Sequence, residues 1–365
     1  MKHTYVVIMA GGKGERFWPM SIGRVPKPFL NITGDKTLIR LTIERAMRIV
    51  PITKIYIALE REHIAFARRK LPFLPADNFI VEPEERDTAP CIGLAAMTLL
   101  RKDSKAVMIV LPADHYITDI DGFKKTVKDG VKVARAGDHL VTIGTRPTRP
   151  ETGYGYIRVS GKPYPAEDAR YYSVERYVEK PDIRRARTYC KDSRYYWNTG
   201  VFIWQAKTVM ESMKHYMPEL YKGLQQISSS MDVNKNAVIN RVFKGFTKLS
   251  IDYGLMQKAG NVAMVPARFM WDDIGTWASL LRVSDPDGNG NFKKGSIASI
   301  DTKGCVINGS DVAIGTIGVS DLVIVATKDS VLVCDIDRVQ EVREIAQRLN
   351  SKKIGEGRGT KDRGR

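Results

Sequence analysis

The sequence lacks the long apolar runs that membrane helices require. Among its 365 residues no uninterrupted apolar segment approaches the roughly 18 to 20 residues that cross a bilayer. The longest candidate, residues 314–326, is interrupted by Ser320 and Asp321. Residues 1–10 are apolar but lead straight into glycines without a cleavage pattern, so they predict a first strand and not a signal peptide. We therefore expect a cytoplasmic protein.

Cysteine is scarce, and its spacing excludes two common kinds of stabilisation. The four cysteines form no C-x-x-C pair, so neither a structural zinc site nor a disulfide framework is expected. The five histidines also show no metal-ligand spacing. Reduced thiols in a cytoplasmic enzyme fit this pattern best. The cysteines are Cys91, Cys190, Cys305 and Cys334.

Two widespread nucleotide-binding motifs are also absent. The glycine-rich segment at residues 11–19 does not supply the G-x-x-x-x-G-K-[ST] pattern of a P-loop. It also fails the dinucleotide pattern G-x-G-x-x-G, because Phe17 stands where the last glycine belongs. No helix-turn-helix, RNP-like or zinc-finger pattern occurs either, so a nucleic-acid-binding protein is not favoured.

Negative charge is in short supply. Lysine and arginine total 58 against 41 acidic residues, which gives a net charge of +17. Such a protein could attract nucleic acid, an anionic surface or phosphorylated substrates. Part of the excess lies in residues 351–365, a basic, glycine-containing tail that we predict to be disordered. A solubilising role for this tail is favoured over a nucleic-acid-binding one.

Short β-branched segments alternate with amphipathic helical patterns in the first third of the chain. This alternation predicts βαβ units and a mostly parallel sheet. The predicted strands are residues 5–9, 55–59, 79–81 and 106–111, and the predicted helices are residues 38–49, 64–70 and 88–101. Residues 153–204 differ, because aromatic and β-branched runs broken by glycine and proline predict an antiparallel layer beside the main sheet.

A dense turn cluster at residues 285–291 is the predicted domain boundary. It separates a large domain, residues 1–284, from a small module, residues 292–350. Short strands with glycine and aspartate turns make that module all-β, and a helix is predicted at residues 339–349.

The most informative segment follows the first strand and combines closely spaced glycines with two cations. Glycines there let backbone N–H groups approach a polyphosphate, and such a nest of amides attracts anions. Arg16 and Lys27 add charges that can pair with β- and γ-phosphate oxygens. A glycine-rich turn alone is weak evidence, because tight turns need glycine anyway. The candidate phosphate-binding glycines are Gly11, Gly12 and Gly14.

Two neighbouring segments make this pattern specific. Arg-Phe-Trp-Pro at residues 16–19 and Pro-Lys-Pro-Phe-Leu at residues 26–30 resemble the signature of the sugar-phosphate nucleotidyltransferases, and they are similar to its mannose-1-phosphate guanylyltransferase branch. The resemblance spans nearly the whole chain, including residues 331–335. It implies an α/β fold: a Rossmann-like nucleotidyltransferase domain with a mostly parallel sheet, followed by a small C-terminal all-β (β-helix-like) module.

The resemblance also implies the reaction. GMP would pass from GTP to mannose 1-phosphate, giving GDP-mannose and pyrophosphate, with Mg²⁺ as cofactor. A homodimer through the C-terminal module is a further implication, whereas no membrane partner is expected.

Two carboxylates stand where the resemblance implies metal ligands. Asp114 follows a predicted buried strand, and α/β proteins bind ligands at the carboxyl ends of parallel strands. Taken alone, an aspartate there could simply form a turn. Residues 271–277 resemble the family's second metal motif, with Asp273 as the implied ligand and Asp272 as the alternative. Two carboxylates with nucleotide phosphates suit Mg²⁺.

The nucleobase is implied at residues 82–90. Glu82 suits guanine, because its carboxylate can accept hydrogen bonds from N1–H and the exocyclic amine together. Asp87 and Thr88 are implied as further nucleotide contacts. The residues alone leave other roles open: Glu82 could be an ordinary surface charge, and Thr88 could cap a helix with Pro90 in its first turn.

Four segments resemble the family's sugar-phosphate site: residues 151–157, 178–181, 197–200 and 250–253. They imply that Gly155 permits close approach, that Glu179 and Asn198 contact hydroxyl groups, that Lys180 binds the phosphate and that Asp252 shapes the site. The complete set of implied catalytic residues is Arg16, Lys27, Asp114, Lys180 and Asp273.

Two alternative functions remain open. Glu82 and the Trp-Pro form of the signature argue against a uridylyl- or thymidylyltransferase. Retention of the implied catalytic residues argues against a regulatory subunit without activity. Sugar stringency is not fixed, since mannose and glucose differ at one hydroxyl.

Overall fold

The structure, a computed structural model, describes residues 1–12, 14–21, 25–230 and 235–349. The tail predicted to be disordered, residues 351–365, lies outside the described residues. Two compact units make up the chain. The first consists of Met1–Gly11, Leu41–Ala113 and Ile117–Trp271. The second consists of the described residues of Gly12–Arg40, Asp114–Tyr116 and the part that follows Trp271.

A ten-stranded sheet forms the centre of the first unit. Its strands are β1 Thr4–Met9, β2 Ile55–Glu60, β3 Phe79–Glu82, β4 Val107–Pro112, β5 Leu140–Thr145, β6 Tyr156–Val159, β7 Tyr164–Ala166, β8 Ala169–Val178, β9 Tyr195–Gln205 and β10 Val262–Pro266. The order across the sheet is β3-β2-β1-β4-β9-β5-β10-β8-β6, with β7 paired to β8.

The strands β3, β2, β1 and β4 lie side by side in parallel, and β5 and β10 form a second parallel pair. Every position of β2 is buried, as expected for a parallel strand covered on both faces. The α/β fold class predicted from the sequence is confirmed.

The antiparallel strands belong to the same sheet. The long strand β9 lies between β4 and β5, pairs antiparallel with both at residues 202–203, and pairs antiparallel with β6 at residues 195–197. The sheet is therefore mixed, and the antiparallel layer predicted at residues 153–204 extends the main sheet instead of lying beside it.

Helices connect these strands. Their bounds are α1 Leu38–Met47, α2 Ile64–Lys70, α3 Thr88–Lys102, α4 Ile120–Ala136, α5 Ile183–Lys191, α6 Ala206–Tyr216, α7 Pro218–Ser229 and α8 Lys235–Lys244. None of the helices in the described ranges is both long and apolar enough to span a bilayer.

The start of α3 differs from the prediction by one residue. Asp87 is the capping residue: it lies outside the helix with a φ of 67°, and its carboxylate accepts a hydrogen bond from the Thr88 N–H at 2.7 Å. Thr88 is the first helical residue, so its prediction as the cap is wrong. Pro90 lies in the first turn as expected, where its missing N–H costs nothing.

The second unit contains a four-stranded sheet and short helices. Strands β11 Phe292–Ile300, β12 Val306–Ile317 and β13 Leu322–Ala326 are parallel neighbours, and β14 Val331–Asp335 pairs antiparallel with β13. Helix α9 Leu280–Val283 precedes the sheet. A 3₁₀ turn, Ile336–Glu341, and a helix over residues 342–349 (α10) follow it. The predicted small all-β, β-helix-like module is confirmed.

One apolar core joins this sheet to the glycine-rich segment. Phe17, Trp18 and Leu30 pack in one cluster with Trp277 and with strand residues such as Val323. The rings of Phe17 and Trp277 meet edge to face with centroids 5.2 Å apart, and Trp277 Nε1 donates to the Trp18 carbonyl oxygen at 3.2 Å. Phe17 and Trp18 before Lys27, and Leu30 after it, are thus packed in the same core as the C-terminal strands.

Candidate functional site

Lys27 lies at the centre of an ionic group in the second unit. Its Nζ donates to Asp114 Oδ2 at 2.6 Å and to the main-chain oxygen of Asp273 at 3.0 Å. The ammonium also lies 5.5 Å from the centroid of the Phe17 ring. Only 13% of the Lys27 side chain is exposed, so water screens the ion pair weakly. Three of the predicted catalytic residues are thus brought together.

Local sequence explains why Lys27 occupies this position. It begins a 3₁₀ turn, Lys27–Phe29, between Pro26 and Pro28, whose rings restrict the backbone to few conformations. Gly14 approaches it closely with a φ of 63°, and a Cβ at Gly14 would lie 2.9 Å from the Lys27 Cβ. A glycine is therefore required at residue 14 for the packing of Lys27.

Asp114 remains charged despite its surroundings. Burial disfavours the charged form, but the Lys27 ammonium, the neighbouring His115 and the hydrogen bond from Lys27 outweigh burial and hold the pKa of Asp114 below its ordinary value. Asp114 is therefore an anion at neutral pH, as a metal ligand must be.

Asp272 and Asp273 have different partners. The buried Asp272 carboxylate accepts from Arg282 Nε at 2.9 Å and Nη2 at 3.2 Å, and from the Ile274 N–H at 2.9 Å. This bidentate ion pair links Asp272 to Arg282, ten residues later in the chain. Asp273, by contrast, places its main-chain oxygen on Lys27, next to Asp114.

The other predicted phosphate-binding residues lie on the surface. Arg16, in the 3₁₀ turn Glu15–Phe17, is exposed, and its guanidinium pairs with no other residue of the described ranges. Gly11 and Gly12 are exposed too, and a Cβ at either would meet no atom within 4 Å. These three residues are accessible to a ligand but are not part of the Lys27 group.

The predicted sugar-phosphate residues lie together in the first unit. Asn198 Nδ2 donates to Asp252 Oδ1 at 3.1 Å, and Lys180 Nζ lies 3.2 Å from Glu179 Oε1. A Cβ at Gly155 would lie 2.5 Å from Glu179 Oε2 and 3.3 Å from Asn198 Cβ. Gly155 therefore permits a close approach, and the nearest groups are these two side chains of the same site.

Two further residues complete this group, and the sequence did not reveal them. The Tyr177 hydroxyl donates to Asp252 Oδ1, and Thr142 Oγ1 donates to Asn198 Oδ1 at 2.8 Å. The Asn198 oxygen also accepts from the Gly200 N–H at 3.2 Å, so its amide nitrogen is the side turned to Asp252. Glu179 directly follows β8, and the available signal was that Tyr177 precedes it by two residues, the spacing of side chains on one face of a strand.

The group holds two carboxylates, Glu179 and Asp252, and one lysine, Lys180. Burial raises the pKa of Glu179 to about 7; the charges of Asp252 and Asp87 add to this and Lys180 opposes it. Burial also raises the pKa of Asp252, against the hydrogen bond from Tyr177 and the charge of Lys180. Glu179 therefore changes its charge near neutral pH.

The predicted nucleotide contacts Asp87 and Thr88 lie next to this group. Thr88 Oγ1 accepts from the Ile251 N–H at 2.8 Å. The following residue, Asp252, begins a π-helical turn, Asp252–Met256, and such turns are frequent at functional sites.

Glu82 is not a member of the group around Asp252. It ends β3 as the cross-strand neighbour of Glu60 on β2 and is only 7% exposed, so it is not an ordinary surface charge. Burial raises the pKa of Glu82 to about 7; a hydrogen bond with Cys91 opposes the shift, and the charges of Glu60 and Glu85 add to it.

Comparison with known proteins identifies the families that this chain resembles. A family model described as nucleotidyl transferase matches residues 5–289, and one described as MannoseP isomerase/GMP-like beta-helix domain matches residues 295–349. The mannose-1-phosphate guanylyltransferase of Salmonella montevideo is 38% identical over 94% of this chain and 73% of its own length. That of Escherichia coli K12 is 36% identical over 95% of this chain and 73% of its own.

A solved structure is also similar. The structure named mannose-1-phosphate geranyltransferase, from Thermus thermophilus, has a TM-score of 0.86 and 38% identity, and the match covers 95% of this chain and 99% of that one. The nucleotidyl transferase model alone matches more than half of the chain. The resemblance drawn from residues 16–19 and 26–30 is thereby confirmed, and the protein belongs to the nucleotidyl transferase family of enzymes.

Proposed function

We propose that this protein is a mannose-1-phosphate guanylyltransferase, which transfers GMP from GTP to mannose 1-phosphate and releases pyrophosphate. The relatives that bear this name align with almost the whole chain. The observation that carries the proposal is the Lys27 group, in which one ammonium contacts Asp114 and the Asp273 backbone. An ammonium beside one aspartate carboxylate and the main chain of a second aspartate suits the binding of a triphosphate and its metal ion.

Mg²⁺ fits Asp114 and Asp273. Both offer hard oxygen donors, and the ammonium held between Asp114 and Asp273 supports the view that a cation is favoured there. Asp272 forms a bidentate ion pair with Arg282, so Asp273 is the better candidate for the second metal ligand. When bound, the metal ion would neutralise phosphate charge.

The reaction requires alignment more than a strong base. The attacking phosphate oxygen of the sugar is already anionic; it forms a bond to the α-phosphorus while the bond to pyrophosphate breaks, and pyrophosphate leaves with the electron pair. Arg16 and Lys27 offset the charge that develops on pyrophosphate, and Lys180 holds the attacking phosphate.

Recognition of the sugar is assigned to the group around Asp252. Glu179 and Asn198 contact hydroxyl groups, Asp252 shapes the site, and Gly155 permits a close approach. The fixed orientation of the Asn198 amide supports this role, since a preset donor loses little freedom on binding.

Recognition of the nucleotide is assigned to Glu82, with Asp87, Thr88 and the backbone of the glycine-rich segment. An ionised Glu82 accepts from guanine N1–H and the exocyclic amine, a donor pair that uracil and thymine lack. The glycines proposed to contact phosphate are Gly11, Gly12 and Gly14.

A homodimer through the C-terminal module is part of the proposal. Strand residues of this module expose several apolar side chains, which a second copy would cover. They are Ile300, Ile317, Val331 and Val333. A cytoplasmic location, argued from four cysteines whose spacing suits no disulfide framework, is likewise proposed.

Pyrophosphate release tests the function directly. Purified protein with Mg²⁺ is offered each of four nucleoside triphosphates with several sugar 1-phosphates. We expect release with GTP and mannose 1-phosphate. Release with another pair would keep the enzyme class but overturn the substrates, and no release with any pair would favour a regulatory subunit.

A further inference from the structure

The Lys27 ammonium is hydrogen-bonded to Asp114, the carboxylate that is proposed to bind metal. Its Nζ lies 2.6 Å from Asp114 Oδ2, a short charge-assisted hydrogen bond. The second bond, to the Asp273 main-chain oxygen at 3.0 Å, places the ammonium between both proposed ligand residues. The ammonium therefore contacts the carboxylate of one proposed ligand residue and the main chain of the other.

The lysine stem has little freedom to leave. Gly14 packs so closely that even an added Cβ would lie 2.9 Å from the Lys27 Cβ. Pro26 and Pro28 restrict the backbone on either side, and the ammonium lies over the Phe17 ring. Because only 13% of the Lys27 side chain is exposed, giving up Asp114 costs free energy unless another anion accepts the ammonium.

A free divalent cation cannot provide that anion. On Asp114 it would face the Lys27 ammonium at a few ångström, where like charges repel strongly at low screening. A nucleoside triphosphate differs, because its phosphate oxygens can accept the ammonium while its own metal ion approaches Asp114.

We propose that Lys27 guards Asp114 against free divalent cations, so that the metal ion enters with the nucleotide. The proposal rests on the proposed function in one respect: it takes Asp114 as a metal ligand. Lys27 then acts twice: it first opposes the binding of free metal at Asp114, and it later contacts the nucleotide phosphates.

Binding of Mn²⁺ alone to the full chain tests this role without any substrate. Free Mn²⁺ is followed by electron paramagnetic resonance for the wild type, Lys27→Met and Lys27→Arg. We expect Lys27→Met to bind Mn²⁺ at least roughly tenfold more tightly than the wild type, because a facing charge is removed. Lys27→Arg keeps the charge and should bind as weakly as the wild type.

Two controls make the result specific. Lys303→Met removes the same formal charge from an exposed residue of the same unit and should leave Mn²⁺ affinity unchanged. Lys27→Met combined with Asp114→Asn should lose the added affinity. If Lys27→Met is poorly folded, Lys27→Gln replaces it.

Several outcomes would overturn the proposal. Lys27→Met binding Mn²⁺ no more tightly than the wild type would do so, and so would equal tightening by Lys303→Met. Failure of the metal assignment is distinguishable, because Asp114→Asn would then leave the Mg²⁺ dependence of pyrophosphate release normal. If Asp114→Asn changes the Mg²⁺ dependence but Lys27→Met does not bind Mn²⁺ more tightly, Asp114 remains a metal ligand. Only the guarding role of Lys27 is then rejected.

Discussion

At the scale of single residues, the Tyr177 hydroxyl controls a buried carboxylate. It shares Asp252 Oδ1 with the Asn198 amide, and its hydrogen bond lowers the pKa of a carboxyl group that burial raises. The hydroxyl itself stays protonated, because burial and the nearby carboxylates raise the pKa of Tyr177 far above neutrality. Tyr177 is thus a positioning residue that keeps Asp252 an acceptor.

Removing this hydroxyl should weaken sugar-phosphate binding. We expect Tyr177→Phe to raise KM for the sugar 1-phosphate about tenfold with little change in kcat, as for loss of a hydrogen bond to a charged group. The acidic limb of kcat/KM should move to higher pH, because the pKa of Asp252 rises further. Tyr195→Phe, another buried tyrosine, is the matched control. An unshifted pH profile would indicate a structural role only.

Glu179 should make sugar-phosphate use depend on pH near neutrality. Its pKa of about 7 means that the accepting carboxylate forms as pH rises through that value. We expect kcat/KM for the sugar 1-phosphate to rise between about pH 6 and pH 8. In Glu179→Gln this rise of kcat/KM with pH should disappear, apart from the pH dependence that comes from ionisation of the substrate itself. A limb that persists unchanged in Glu179→Gln would contradict the assignment.

At the scale of elements, one lysine fastens a loop to a strand. Lys294 on β11 donates Nζ to the main-chain oxygens of Asn31 and Gly34 at 2.7 and 2.8 Å. These carbonyls lie in the loop that follows the 26–30 segment. The strand therefore restrains the chain directly after the Lys27 turn.

Cutting this connection should destabilise the second unit. We expect Lys294→Met to lower the free energy of unfolding by about 1 to 3 kcal/mol, since two carbonyl groups lose a charged donor. Urea unfolding measures the change, with Lys303→Met as the control for loss of charge. Equal unfolding midpoints for Lys294→Met and the wild type would show that water replaces the ammonium without cost.

Elements were predictable where a local pattern decides them. Helix α2 matches its prediction at residues 64–70, and β1 to β4 agree within about a residue at each end. The pairing of β9 with three other strands was not predictable, because it joins residues far apart in sequence. The contact of Tyr177 with Asp252 was not predicted, for the same reason. Glu179 and Asn198 were predicted as site residues because each lies in a recognisable motif. The boundary at residues 285–291 stays a prediction.

At the scale of the whole molecule, a buried acid should make stability depend on pH. The pKa of Glu82 is about 7 in the folded protein against 4.5 for an ordinary glutamate. The folded state therefore binds the proton more tightly, and stability present below about pH 4.5 is lost as pH rises through 7. The loss is on the order of 3 kcal/mol for the full shift.

We expect the unfolding free energy to fall between about pH 5 and pH 8 and to fall less in Glu82→Gln. Chemical unfolding at several pH values measures both slopes. Glu219→Gln, a change at an exposed helical glutamate, is the control. Parallel curves for Glu82→Gln and the wild type would mean that Glu82 is ionised throughout.

The shared core of the second unit also bears on how this protein could be recombined with its relatives. Phe17, Trp18 and Leu30 pack with Trp277 and with the C-terminal strands in one cluster. A chimera joined within residues 285–291 would combine a signature segment from one parent with strands from another, across side chains that pack in one cluster. Exchanges that carry residues 12–40 along with the C-terminal strands keep the original partners, and they should yield folded hybrids more often.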